Sequence, residues 1–145
     1  MKSTSTLEIV SVADRIHSAA IHLLRQAARF DTHSGQGPAR LSALSILVFG
    51  GPKTLGELAA AERVKPPTMS RIVAGLRRSG LARIEADKND LRRVRITVTA
   101  KGEKLLQEAR KRRIHALAEK FGALNHEQLG AIAAAADFIE QALRG

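Results

Sequence analysis

From Leu81 to Val98 the apolar residues stop recurring at helical intervals and alternate instead, and helical spacing resumes after Thr99. This switch constrains the fold more than any other feature of the chain. Residues 81–85 read as one strand, the Asp-Lys-Asn-Asp stretch at 87–90 as a turn-rich tip, and residues 92–98 as the returning strand. Val94, Ile96 and Val98 fall on one face of that strand; Arg93, Arg95 and Thr97 fall on the other. A lone two-stranded hairpin is marginal in water. It must lean on helices, and helical patterns flank it on both sides.

On the N-terminal side, Thr54 and Glu57 form a capping box that opens a short helix through Ala61. Lys65-Pro66-Pro67 then breaks the chain, because a residue before proline avoids the helical region. Pro67 suits the first position of a second helix, which runs to about Ser79 with Gly80 placed as a C-terminal cap. Upstream lie a helix at 7–30, a loop at 31–38 rich in Gly and Ser, and a short apolar helix at 41–49 closed by Gly50-Gly51-Pro52. After the hairpin, Thr99 caps a long helix reaching about Phe121, and Asn125 with Gln128 caps a last one ending near Leu143.

A short helix, a turn, a proline-started second helix and a hairpin, in that order, make a winged helix-turn-helix. The expected architecture is mainly α with a small β wing, in a single domain over residues 1–145. Residues 41–100 would be the winged lobe, and 6–30 and 101–144 the flanking helices. The first helix carries Leu7, Val10, Ile16, Ala20, Leu23 and Ala27 at helical spacing. The last carries Leu129, Ile132, Ala133, Ala136, Ile139 and Leu143. Such stripes must be buried. They are longer than a small lobe can cover, so a second copy of the chain is expected against them, as a homodimer.

Charge narrows the partner. Lys and Arg number 24 against 14 Asp and Glu, a formal net charge of +10 on 145 residues, which favours a polyanion. The absence of Cys excludes disulfides and thiol switches. The first ten residues lack the apolar run of a signal peptide, and no segment is apolar enough to span a membrane. The chain is therefore expected in the cytoplasm.

The second helix of the pair has the amphipathic build that entry into a major groove requires. Met69, Ile72, Val73 and Leu76 form its inner stripe, and Thr68, Ser70, Arg71, Arg77 and Arg78 lie outside. Ala74 and Gly75 are small enough to let the helix approach the bases. Lys65 stands just before the helix start, where the helix dipole also favours a phosphate. Lys88, Arg92 and Arg93 put positive charge on a thin hairpin suited to a narrow minor groove, with Asp90 available to hold a basic neighbour.

Five stretches, in order, resemble the MarR family of regulators: Leu41-Ser-Ala-Leu-Ser-Ile-Leu, Thr54-Leu-Gly-Glu-Leu-Ala, Pro66-Pro-Thr-Met-Ser-Arg-Ile-Val, Gly80-Leu-Ala-Arg and Asp90-Leu-Arg-Arg. Val98-Thr-Ala-Lys-Gly102 resembles the family's motif at the end of the wing. The resemblance implies a homodimer on palindromic double-stranded DNA, often released by a small ligand. It points to Pro67, Thr68, Ser70 and Arg71 as groove-facing and to Asp90 with Arg92 as a wing pair. Leu91 is a departure, an apolar residue at a tip that is usually polar in the family, and it is expected to tuck under the wing.

The resulting expectation is a sequence-specific transcriptional regulator acting as a repressor. Arg71 can read a base, hold a phosphate or lie solvated. The basic run at 110–113 is expected to be a solvated face. A small organic anion is the expected effector, held between the first helix and the winged lobe near Arg15, His22 and Arg25. His17 and His22 are five apart, which is not the one-face spacing of a helical metal pair, so neither metal nor cofactor is expected. The alternative to DNA binding is a protein-interaction adaptor. An adaptor's docking face should carry aromatic anchors, whereas residues 67–79 carry Thr, Ser and Arg, and the chain has neither Trp nor Tyr. No nucleophile elbow, phosphate loop or paired carboxylate suggests an enzyme.

Overall fold

The computed structural model describes residues 5–145. The first four residues of the 1–145 domain, and with them part of the segment read for a signal peptide, lie outside the described residues. The order is α1 (Thr6–Ala28), a short 3-10 helix (Asp31–Ser34), α2 (Pro38–Gly50), α3 (Leu55–Ala61), α4 (Pro66–Arg78), β1 (Ala82–Ala86), β2 (Val94–Val98), α5 (Ala100–Phe121) and α6 (His126–Arg144). This is the mainly α winged helix-turn-helix arrangement read from the sequence.

Caps set most of the helix starts. The side chains of Ser5, Thr54, Thr99 and Asn125 accept from the amides of Glu8, Glu57, Gly102 and Gln128. Both capping boxes close, at Thr54 with Glu57 and at Asn125 with Gln128. Of the boundaries that differ from those expected, three have a clear physical cause. Residues 31–34, expected in a loop, form a helical turn in which the Ser34 hydroxyl donates to the Asp31 carbonyl at 2.7 Å. α2 starts at Pro38 rather than Leu41, because Pro38 fits a first turn that needs no amide donor. That turn faces away from the core, so apolar spacing could not register it. α4 starts at Pro66 rather than Pro67, with Lys65 extended before it at φ −73° and ψ 149°.

The hairpin is antiparallel, with Ala82 opposite Val98 and Ile84 opposite Ile96. Its base is built into the lobe. Lys53 and Ile96 exchange two backbone hydrogen bonds, at 3.1 and 2.7 Å, and Ile96 is buried. Val98 is partly buried, but Val94 is 53% exposed. The apolar face expected along the whole strand is thus covered only near its base, because the distal half extends beyond the lobe.

The core gathers Leu44 and Leu47 of α2, Leu58 of α3, Met69 and Leu76 of α4, Leu81, Ile96 and Leu106 of α5. Gly80, at φ +71°, turns the chain from α4 into β1, a backbone state that suits glycine. The Thr99 hydroxyl donates to the Gly80 carbonyl at 2.6 Å, and Lys101 Nζ donates to the Ser79 carbonyl at 3.0 Å. The last turn of α4, the hairpin base and the first turn of α5 are therefore one fastened unit. Outside this lobe, neither α1 nor α6 has a single buried residue. Among the described residues, no helix is long and apolar enough to cross a membrane.

Candidate nucleic-acid interface

α4 turns Met69, Val73 and Leu76 into the core and leaves Pro67, Thr68, Ser70, Arg71, Arg77 and Arg78 exposed, with Lys65 exposed at its start. Small size at Ala74 and Gly75 does not serve an approach to bases as expected. Ala74 is partly buried and Gly75 is buried, because the Arg40 guanidinium of α2 covers Gly75. The start of α4 is also a poorer anion site than a helix dipole alone suggests. Pro66 and Pro67 have no N–H, and the amides of Thr68 and Met69 already donate to the Lys65 carbonyl at 3.0 and 3.1 Å. Side chains must do the binding here.

The turn between α3 and α4 holds Arg63 at φ 54°, in the left-handed region that few side chains adopt. Beside it, Glu62 accepts from the Ser42 hydroxyl of α2 at 2.6 Å. The sequence reading passed over both residues. A glycine would have signalled the turn, and an arginine does not.

The wing tip is ordered by Asp87, which is 5% exposed. Its carboxylate accepts from the Asn89 amide and from Arg95 Nε, each at 2.9 Å. Arg95 also reaches the Pro52 carbonyl at 3.4 Å. The Asn89 amide first, and then Arg95, hold the Asp87 carboxyl below its usual range, and Asp87 raises Arg95 in turn. This corrects the wing pair. Asp90 accepts from the backbone amide of Arg92 at 3.0 Å, and among the described residues the two side chains form no ion pair. Register explains the difference: Arg95 lies opposite Glu85 near the tip and leans back to Asp87. Lys88, Arg92 and Arg93 are thereby left exposed along the tip. Leu91 does not tuck under the wing; it is 82% exposed.

Away from this face, the basic run of α5 is not simply solvated. Arg113 pairs with Asp31, Nη2 at 2.6 Å and Nε at 2.7 Å from the same oxygen. Their separation along the chain hid this pair from any local pattern. A cavity of about 1020 Å³ opens between α1, α5 and α6, with an apolar lining that includes Ile16, Leu23 and Ile132. His22 lines it, but Arg15 and Arg25 do not. The cations that line it are Arg29, Arg113 and Lys120.

Comparison with known proteins agrees with this arrangement. The MarR family pattern matches residues 38–94, from the start of α2 to the start of β2. An uncharacterised HTH-type transcriptional regulator of Mycobacterium leprae is 34% identical over 128 residues, covering 88% of this chain and 90% of the relative. The fold superposes on a MarR family protein from Bacillus stearothermophilus with a TM-score of 0.85 at 21% identity, covering 99% of this chain and all of the other. A mutant of the Staphylococcus aureus protein MepR, solved bound to an oligodeoxyribonucleotide, matches with a TM-score of 0.68 at 19% identity, over 91% of this chain and 97% of that one. A relative this similar over nearly its whole length, with the family pattern lying on the helix-turn-helix and wing, places the chain in the MarR family.

Proposed function

We propose that this regulator binds double-stranded DNA sequence-specifically, as a homodimer on a pseudo-palindromic operator, and represses the genes beside it. The observation that carries the reading is the exposed polar face of α4, with Thr68, Ser70 and Arg71, standing beside a hairpin whose tip presents Lys88, Arg92 and Arg93. A helix with that face suits a major groove, and an arginine-tipped hairpin suits the adjoining minor groove. The DNA-bound MepR mutant shares the fold and supports the same use here. Pairing is supported by the apolar stripe of α6, where Leu129, Ile132 and Leu143 are exposed in the single chain.

The cavity between α1, α5 and α6 supports a small organic anion as effector. Its walls are apolar, and Arg29 and Lys120 can meet a carboxylate. Titration with phenolic acids should perturb the His22 resonances; binding that perturbs other regions only would remove the effector from this cavity.

Selection of bound sequences from random duplex DNA tests the main reading. The enriched set should hold two inverted half-sites whose centres lie about 10 bp apart. Enrichment of a single unrepeated site, or of none, would overturn it.

A further inference from the structure

Gly75 sits inside α4, where glycine is a poor helix former, and its backbone is not in the left-handed region. Space explains it. A Cβ at Gly75 would collide with Cζ, Nε and Nη2 of Arg40. Arg40 stands in the first turn of α2, yet its guanidinium rests on the backbone of α4. Gly75 follows Arg71 by one turn and Thr68 by two, so these positions form one line along the helix. Arg40 therefore ends a line whose other members are groove-facing.

The guanidinium is held but not neutralised. Nη1 donates to Gln36 Oε1 at 3.3 Å. Among the described residues, no carboxylate pairs with Arg40. Arginine has five N–H donors in a rigid fork, and most of these have no partner among the described residues. When a helix lies in a major groove, the sugar-phosphate backbone passes along its flanks.

We propose that Arg40 is a DNA phosphate-binding residue and that Gly75 is the gap that seats it. This rests on α4 entering the major groove. It adds a contact from outside the helix-turn-helix pair and the wing, made by a residue that neither motif nor charge pattern singles out.

The test is the salt dependence of affinity for the selected operator and for a scrambled duplex, with the wild type, Arg40→Ala, Arg40→Lys, Gly75→Ala and the double variant Arg40→Ala/Gly75→Ala. Each phosphate contact contributes about 0.9 to the slope of log affinity against log salt. Arg40→Ala should flatten the slope by roughly 1.8 for a dimer and weaken both duplexes alike. Arg40→Lys should keep most of the slope. Gly75→Ala keeps the arginine but displaces its guanidinium, and should flatten the slope in the same direction by less. The double variant should be no weaker than Arg40→Ala, because the contact is already gone. Gly75→Ala also carries the test if Arg40→Ala misfolds, which circular dichroism reports. An unchanged slope in Arg40→Ala and Gly75→Ala would make Arg40 a strut between helices. A loss confined to one base position would make it a base reader. Either result overturns the proposal. A wild type that shows neither salt dependence nor operator preference would instead overturn the DNA-binding reading beneath it.

Discussion

Removal of residues 123–145 is expected to yield a folded winged lobe that no longer pairs and no longer holds its operator. The core runs from Ala43 to Leu106 and takes nothing from α6, so the lobe loses no internal packing. α6 has no buried residue in the single chain, although Leu129, Ile132 and Ile139 recur at helical spacing. A stripe of that kind has to be covered, and a second copy of the chain covers it in the proposed dimer. Losing the dimer leaves each lobe with one half-site. The affinity that separates an operator from random DNA is typically 10³-fold or more, so operator binding should fall by about that factor. Sedimentation of the truncated chain checks the pairing, and its thermal unfolding checks that the lobe survives. A truncated chain that still sediments as a dimer would place the interface elsewhere.

Arg71→Ala should produce the largest effect of any single substitution on the DNA-facing surface. Arg71 is exposed on the second turn of α4, between Met69 and Val73, which anchor the helix in the core. Its loss should therefore leave the fold intact. A bidentate arginine contact to a base is worth about 1–3 kcal/mol, and a dimer loses two. Affinity should fall by roughly 30-fold to 20,000-fold, with relaxed preference at one position in each half-site. Binding profiles on operators mutated one base at a time check this. A uniform loss on every sequence would make Arg71 a phosphate contact.

Much of this architecture is legible in the sequence because its causes are local. Thr54, Thr99 and Asn125 announce their helices, since a cap and its amide lie three residues apart. The alternation around Ile96 announces the hairpin. What escaped the sequence depends on residues far apart or on solvent-facing turns. The first turn of α2 is exposed at Pro38 and Ala39, so it leaves no apolar signal. Asp31 meets Arg113 only after α1 and α5 have packed. Asp87 and Asp90 are chemically equivalent candidates for the wing pair, and only the hairpin register gives Arg95 to Asp87. Gly75 looked like room for DNA; the room is filled by Arg40, from a helix 35 residues earlier.

In the proposed complex two copies of one lobe grip DNA through α4 and the wing, and the salt dependence of wild-type affinity for the selected operator is the sharpest test of that grip. Arg40, Arg77, Lys88 and Arg92 from each copy give eight contacts to the phosphate backbone or its groove. A steep log–log slope, roughly −7, is expected, together with one dimer bound per duplex. A slope near zero, or saturation by a single chain, would contradict it.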